Sequence, residues 1–170
     1  NFGSKGLTLP VWVAATARAA TQVLLGKPFE EQQPLVIPDQ AERLTVSVQS
    51  ASTLTDHNHA LAISFCDSGS GLDLTRGLEI WVYVQWQEQI SVVVDQLADD
   101  AVDWLTIIPG NGVGVHKSSR EACLSRFAIN LLLSNLRPLV PIDRGLCLEV
   151  VIPQGRELAL RTSNQAFGVV

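Results

Sequence analysis

Methionine is absent from the 170 residues, cysteine occurs three times and tyrosine once. With no initiator residue, and with an apolar Phe167-Gly168-Val169-Val170 end that carries no polar tail, the sequence reads as a piece of a longer chain. No run approaches the ~20 consecutive apolar residues of a membrane-spanning helix. The start also lacks the basic-then-apolar build of a secretory leader. Neither a membrane partner nor secretion is expected. Cys66, Cys123 and Cys147 are odd in number and widely spaced, which excludes a disulfide framework and a zinc-ligand pair. A reducing, cytoplasmic setting fits them best. Positive charge is also scarce: the net charge is −5, whereas nucleic-acid binding rests on a basic surface, so no nucleic-acid partner is expected.

Apolar residues make up 46% of the chain and charged ones 17%, which rules out a disordered or fibrous polymer and leaves one compact domain over residues 1–170. The charges are unevenly spread. Glu79, Glu88, Asp95, Asp99, Asp100 and Asp103 gather on one stretch, while seven of the twelve basic residues lie between Lys117 and Arg161. A local anion-binding face could result, the commoner alternative being two solvated surfaces. A homo-oligomer is compatible with the composition.

Residues 9–25 are alanine-rich, place Leu9, Val13, Ala17, Ala20 and Leu24 on one side, and close with Gly26 before Pro28, which predicts a helix. Its small residues suit close approach to a sheet. After the proline-bounded Leu35-Val36-Ile37 the period becomes two, through Leu44, Val46 and Val48, then residues 60–65, then Leu78 to Trp86. The short connections predict antiparallel pairing. Residues 91–103 fit either a strand or a surface helix, and 104–108 read as a strand. The spacing over 118–136 predicts a second helix with Ser118 or Ser119 as cap, Glu121 in its first turn and Pro138 ending it. Strands over 146–152 and 157–161, joined by a tight turn at Pro153-Gln154-Gly155-Arg156, close the chain. These elements do not alternate as strand-helix units. The fold class is therefore α+β, a two-layer domain with a mainly antiparallel sheet packed against two helices.

Three places could hold chemistry. The loop after the third strand, from Cys66 to Gly77, carries three glycines with Asp67 and Asp73, and glycines let backbone approach a ligand closely. A plain turn explains the same pattern. Gly110-Asn111-Gly112-Val113-Gly114 lacks the spacing of a dinucleotide fingerprint and no Walker lysine follows, so nucleoside triphosphate binding is excluded. The crook is followed by His116, Lys117 and Arg120, which could hold carboxylates, a hairpin with a solvated basic edge being the alternative. His57 and His59 would share a face on a strand, but spacing brings them no third ligand, and loop histidines are the simpler reading. No metal site is assigned, and Gly69-Ser70-Gly71 lacks the full serine-nucleophile pattern.

Taken in order, these segments resemble the cobalt-precorrin-5B C(1)-methyltransferase (CbiD) family along the whole chain. Gly6-Leu7-Thr8-Leu9-Pro10-Val11 before the alanine helix is similar to the family's G-Y-T start. Asp67, Gly69, Asp73, Thr75 and Gly77 match D-A-G-D-D-P-D-V-T-x-G. Gly110 to Gly114 with Lys117 resembles G-E-G-V-G and the lysine of V-T-K. Ala128-Ile129-Asn130 is similar to the start of A-I-N-P-V-P, Ile152-Pro153-Gln154-Gly155 to V-P-x-G, and Arg161-Thr162-Ser163-Asn164 with Gly168-Val169 to K-T-x-N-P-x-x-G-I.

The resemblance implies S-adenosylmethionine-dependent C-methylation of a cobalt-precorrin tetrapyrrole in anaerobic cobalamin biosynthesis. In that reading Asp67, Asp73 and Thr75 are catalytic. Gly69, Asn111, Gly112, Gly114, Lys117, Arg120, Asn130, Arg161, Thr162 and Asn164 contact substrate, with Arg126 a further anion partner. Three departures fall on distinctive positions: Ser70-Gly71-Leu72 stands for D-D-P, Asn111 for the glutamate, and Leu131 and Leu133 for the two prolines. Two carboxylates suited to proton transfer are thereby lost, which keeps a non-catalytic tetrapyrrole-binding or assembly module as the alternative. The family's D-G-I-S-x-L-G-T-T-G stretch and second domain lie outside this sequence. S-adenosylmethionine is expected to bind mainly there, and the chain alone to be inactive.

Overall fold

A computed structural model of the chain describes residues 7–40, 42–66, 77–88, 103–113 and 125–155. In chain order the elements are α1 (Leu9–Leu24), β1 (Gln32–Val36), β2 (Arg43–Ser47), β3 (Ser50–Thr53), β4 (His59–Phe65), β5 (Glu79–Gln87), β6 (Leu105–Pro109), α2 (Arg126–Leu136) and β7 (Gly145–Val151). The expected helix over 118–124 and strand over 157–161 lie outside the described residues, as does nearly all of the ambiguous stretch over 91–103.

Helix α1 is the centre of the molecule. It has few side chains that can reach water, so every side of it must be covered. All of its residues except Arg18 are buried, and five alanines (Ala14, Ala15, Ala17, Ala19 and Ala20) are fully so. Pro10 suits the first turn, where a missing N–H costs nothing. At the other end Gly26, at φ +87°, donates to the Val23 carbonyl while Lys27 N donates to that of Gln22, a paired closure that satisfies the last carbonyls. The two buried hydroxyls are also satisfied: Thr21 Oγ1 donates to the Ala17 carbonyl (2.8 Å), and Thr16 Oγ1 donates to that of Trp12 (2.6 Å). Thr16 Oγ1 also lies 2.6 Å from Ser64 Oγ on β4.

The strands form two sheets, and burial alternates along β1, β2 and β4 as side chains point to opposite faces in turn. A five-stranded sheet has the order β3-β4-β5-β7-β6, antiparallel except for the β6–β7 pair. Ala60, Ala62, Ile80, Val82, Val84, Leu146, Leu148 and Val150 fill its buried face, on which α1 packs. The opposite face shows Phe65, Trp81 and Ile108 to solvent. The β1–β2 ribbon, antiparallel with Leu35 opposite Leu44, also packs on α1.

The second helix reaches the core through α1 and β1. Asn135 joins it to β1: its Oδ1 accepts from Val36 N (2.8 Å) and its Nδ2 donates to the Val36 carbonyl (2.9 Å) and to that of Leu131. The α+β class and the mainly antiparallel sheet stand as expected. Two details differ from the sequence reading. Helix α2 is capped by Ser125 in place of Ser118 or Ser119: with ψ at 155°, Ser125 is extended, and its Oγ accepts from Ala128 N (3.1 Å). Apolar spacing alone ran across this break. The parallel β6–β7 pair follows from the long link between these strands, since only a connection of a dozen or more residues, here carrying α2, can return a chain in the same direction.

Replacement of a small residue on α1 tests its central role. Ala17→Leu, at a fully buried position, is expected to lower unfolding free energy by about 1–3 kcal/mol through overpacking. Urea titration followed by circular dichroism reads the change, and an unaltered midpoint would mean that α1 has room to spare.

Candidate functional site

Strand direction collects the candidate segments at one end of the large sheet. Phe65, the last residue of β4, pairs with Glu79, the first of β5, while Val151 at the end of β7 pairs with Trp81, and Pro109 at the end of β6 pairs with Val150. The ends of the Cys66–Gly77 loop, the crook over Gly110 to Val113 and the Pro153–Gly155 turn therefore leave the sheet side by side. None of this proximity is visible in sequence, where they are tens of residues apart.

Backbone hydrogen bonds weld them together. Cys66 N donates to the Leu78 carbonyl (2.8 Å) and Gly77 N to that of Cys66 (2.6 Å), which closes the base of the loop. Gly110 N donates to the Val150 carbonyl and Ile152 N to that of Asn111, both at 2.8 Å. Gly155 N returns to the Ile152 carbonyl, and Gln154 Oε1 accepts from Glu79 N (3.1 Å). Crook and turn then touch backbone to backbone. A Cβ on Gly112, which has φ +83°, would sit 1.8 Å from the Ile152 carbonyl oxygen, and one on Gly155 would sit 2.2 Å from the Gly112 oxygen. Only glycine fits such an approach. Gly112, expected to contact substrate, thus has a packing role that accounts for its identity. The exposed Asn111 serves this junction through its carbonyl.

Beside the loop base lies a cavity of about 410 Å³, between Leu7 and Trp12 at the start of α1, Val46 and Val48 on and just beyond β2, Gln49 and Phe65. Glu31, Thr45 and Ser47 complete its lining. Trp12 is 4% exposed, and its indole Nε1 has no hydrogen-bond partner among the described residues. Sequence reading passed over both Trp12 and Phe65. An aromatic in an apolar helix or at a strand end looks like core, and only the position of Phe65 next to the Asp67 loop hinted otherwise.

Of the residues expected to act on substrate, Asn111 and Gly112 stand at this sheet end. Asn130, half-buried, and the exposed Arg126 lie on α2, which packs on α1 and β1. Asp67, Gly69, Asp73, Thr75, Gly114, Lys117, Arg120, Arg161, Thr162 and Asn164 lie outside the described residues. His57 and His59 part company: His57 turns the chain at φ +57°, while His59 begins β4. Nδ1 of His59 meets Asp56 Oδ2 at 2.5 Å and Nε2 meets Gln85 Oε1 at 2.6 Å, with its ring stacked on Tyr83. The Asn58 backbone N–H, aided by His59, holds the Asp56 carboxyl below its ordinary range. No group of three metal-ligating side chains occurs among the described residues, and no helix there is long and apolar enough to cross a membrane.

The CbiD family model matches residues 2–170. A cobalt-precorrin-5B C(1)-methyltransferase of Prochlorococcus marinus (strain MIT 9313) is 62% identical over 164 residues, covering 96% of this chain and 42% of that protein. One of the same name from Synechococcus sp. (strain CC9902) is 52% identical over 167 residues, again 42% of its length. The chain thus spans less than half the length of these curated relatives. The crystal structure of cobalamin biosynthesis protein (cbiD) from Archaeoglobus fulgidus aligns with a TM-score of 0.61 at 22% identity, over 97% of this chain and 49% of that one. This last likeness shows a shared fold.

The junction of crook and turn makes a sharp prediction. Gly112→Ala, strained by both φ and the 1.8 Å approach, should cost about 3 kcal/mol or prevent folding. Asn111→Ala, which keeps the carbonyl used here, should change stability by less than about 0.5 kcal/mol. Denaturant unfolding of both variants checks this, and equal effects would refute the backbone role given to Asn111.

Proposed function

Because the chain belongs to the CbiD family, matched over residues 2–170, we propose that it takes part in S-adenosylmethionine-dependent methylation of cobalt-precorrin-5B at C1. The observation that carries this reading is the gathering of the Asp67 loop base, the Gly110–Gly112 crook and the Pro153–Gly155 turn at one sheet end. Three segments that resemble family motifs, far apart in sequence, form one surface. The 62% identity to a protein named for this reaction supports it.

S-adenosylmethionine supplies an electrophilic methyl group on a sulfonium, and the displacement needs alignment and exclusion of water more than acid-base help. The protein's residues act as positioners. The welded sheet end provides a rigid base for this purpose. Asp67, Asp73 and Thr75, between Cys66 and Gly77 in sequence, act on the reaction side in this proposal, with Gly69 among the substrate-contacting residues. Lys117, Arg120 and Arg161, helped by Arg126, pair with the acidic side chains of the macrocycle. Gly114, Asn130, Thr162 and Asn164 complete the substrate surface. The reaction belongs to cobalamin biosynthesis in the cytoplasm. The chain contributes one α+β domain to it, beside the remaining length that the curated relatives carry.

Incubation of the full-length protein, with the length that the curated relatives carry beyond this chain, with cobalt-precorrin-5B and methyl-labelled S-adenosylmethionine should transfer label to the macrocycle. A shifted corrinoid spectrum without transfer would overturn catalysis in favour of a tetrapyrrole-binding module. Lys117→Ala and Arg120→Ala should each weaken corrinoid binding about fivefold, measured by spectral titration. Unchanged affinity in both would remove the basic segment from the substrate surface.

A further inference from the structure

Two bodies meet at the candidate end of the large sheet. The crook and the Pro153–Gly155 turn form one: Gly110 N donates to the Val150 carbonyl, Ile152 N to that of Asn111, and Gly112 lies against Gly155 backbone to backbone. The base of the Asp67 loop forms the other, closed by the bonds from Cys66 N to the Leu78 carbonyl and from Gly77 N to that of Cys66. These bonds use main-chain atoms, which any residue carries. What joins one body to the other is different.

Strand pairing stops short between them. The β4–β5 ladder runs out to Phe65 and Glu79, whereas the β5–β7 ladder ends at Trp81 and Val151. Leu78 faces β4, since its carbonyl accepts from Cys66 N, so the polar main-chain atoms of the next residue, Glu79, point to the side of β7. Continued by two residues, the β5–β7 register would set Pro153 opposite Glu79, with the Pro153 carbonyl as acceptor for Glu79 N. The chain turns at Pro153 instead. A main-chain donor left at such a position needs another partner. Gln154 provides it: the half-buried side chain places Oε1 3.1 Å from Glu79 N and accepts its hydrogen. A side-chain carbonyl thus stands where a ladder carbonyl is missing. The Glu79 carboxylate is engaged separately, accepting from Trp81 Nε1 at 3.1 Å.

We propose that Gln154 is a positioning residue for the methyl transfer: its side-chain carbonyl replaces the missing ladder bond and fixes the crook and turn against the base of the Asp67 loop. The inference rests on the methyltransferase reading above. In that reading Asp67, Asp73 and Thr75 act on the reaction side, and Lys117 and Arg120, which follow the crook in sequence, hold the macrocycle. The reacting groups are then aligned only as well as the two bodies are. Displacement at a methyl group needs the reacting atoms about 3–3.5 Å apart and in line, and a misplacement of about 1 Å can cost on the order of a hundredfold. Gln154 touches no reacting atom in this account. It acts through Glu79 N, two residues after Gly77 closes the loop base. Resemblance passes over it, because it stands at the x of V-P-x-G.

Two variants of the full-length protein, with the length that the curated relatives carry beyond this chain, separate the bond from the bulk of the side chain. Gln154→Met keeps the length and removes the carbonyl acceptor, whereas Gln154→Glu keeps an oxygen acceptor. Amide hydrogen exchange should show Glu79 N–H exchanging about tenfold faster in Gln154→Met and near the unsubstituted rate in Gln154→Glu. With cobalt-precorrin-5B and methyl-labelled S-adenosylmethionine, Gln154→Met should lower kcat about tenfold while changing KM less than about twofold. Gln154→Glu should recover most of that loss. An unaltered Glu79 exchange rate in Gln154→Met would show that the bond is not made and overturn the inference. Faster exchange with kcat unchanged, a loss carried by KM alone, or Gln154→Glu no better than Gln154→Met would overturn the positioning role and leave the methylation reading in place. Absence of label transfer by the unsubstituted protein would sink the methylation reading and the positioning role with it, while Glu79 exchange would still report on the bond itself.

Discussion

Everything in this molecule is arranged around a helix that cannot face water. Fifteen of the sixteen residues of α1 are buried, so it needs cover on all sides. The large sheet, the β1–β2 ribbon and α2 supply that cover from different directions. Small side chains make the arrangement feasible. Fully buried alanines on α1, together with Ala60 and Ala62 on β4, let a helix lie close to a sheet without leaving voids. The polar groups trapped by this packing are mostly satisfied locally, Thr16 and Thr21 by carbonyls of the preceding turn. The indole N–H of Trp12 and Nη1 of Arg18 on α1, like Oε1 of Gln33 on β1, are the departures, with no hydrogen-bond partner among the described residues.

The same packing fixes one end of the large sheet as a rigid platform. Gly112 and Gly155 meet where neither could carry a side chain, and Gln154 ties their junction to the first residue of β5. Motif glycines that look in sequence like contacts for a ligand are here the means by which two turns are held in register. The departure at Asn111 is easier to understand in this light, because the group used at the junction is its carbonyl, which any residue provides.

How much could be read beforehand varied with the kind of signal. The limits of α1 and the strands β2, β4 and β5 follow from periodicity, because burial on one face imposes a period of two on a strand and continuous cover imposes an apolar helix, whereas the short, polar β3 left no such signal. The start of α2 did not follow. Apolar spacing continues through Ser125, and only the extended backbone there, with its side chain capping Ala128 N, shows where the helix begins. The hydrogen bonds of Asn135 to Val36 were equally hidden, since a lone asparagine in a helix gives no hint of its partner. For the site, resemblance located Asn111 and Gly112, but the close backbone approach of Gly112 to Ile152 was visible only in the structure. Trp12 and Phe65 were missed because, in sequence, a residue lining a cavity is indistinguishable from one filling a core.

By itself the sequence determined the family, the α+β class, the alanine-rich helix and the mainly antiparallel character of the sheet. These follow from local patterns and from motifs kept in register along the chain. Tertiary structure alone decided that the loop base, crook and turn meet at one sheet end, that β6 and β7 run parallel across a helical crossover, and that a cavity opens beside Trp12. Each depends on which distant residues come within a few ångströms. That is set by packing α1 on all its sides at once, a condition on the whole chain that no local stretch encodes.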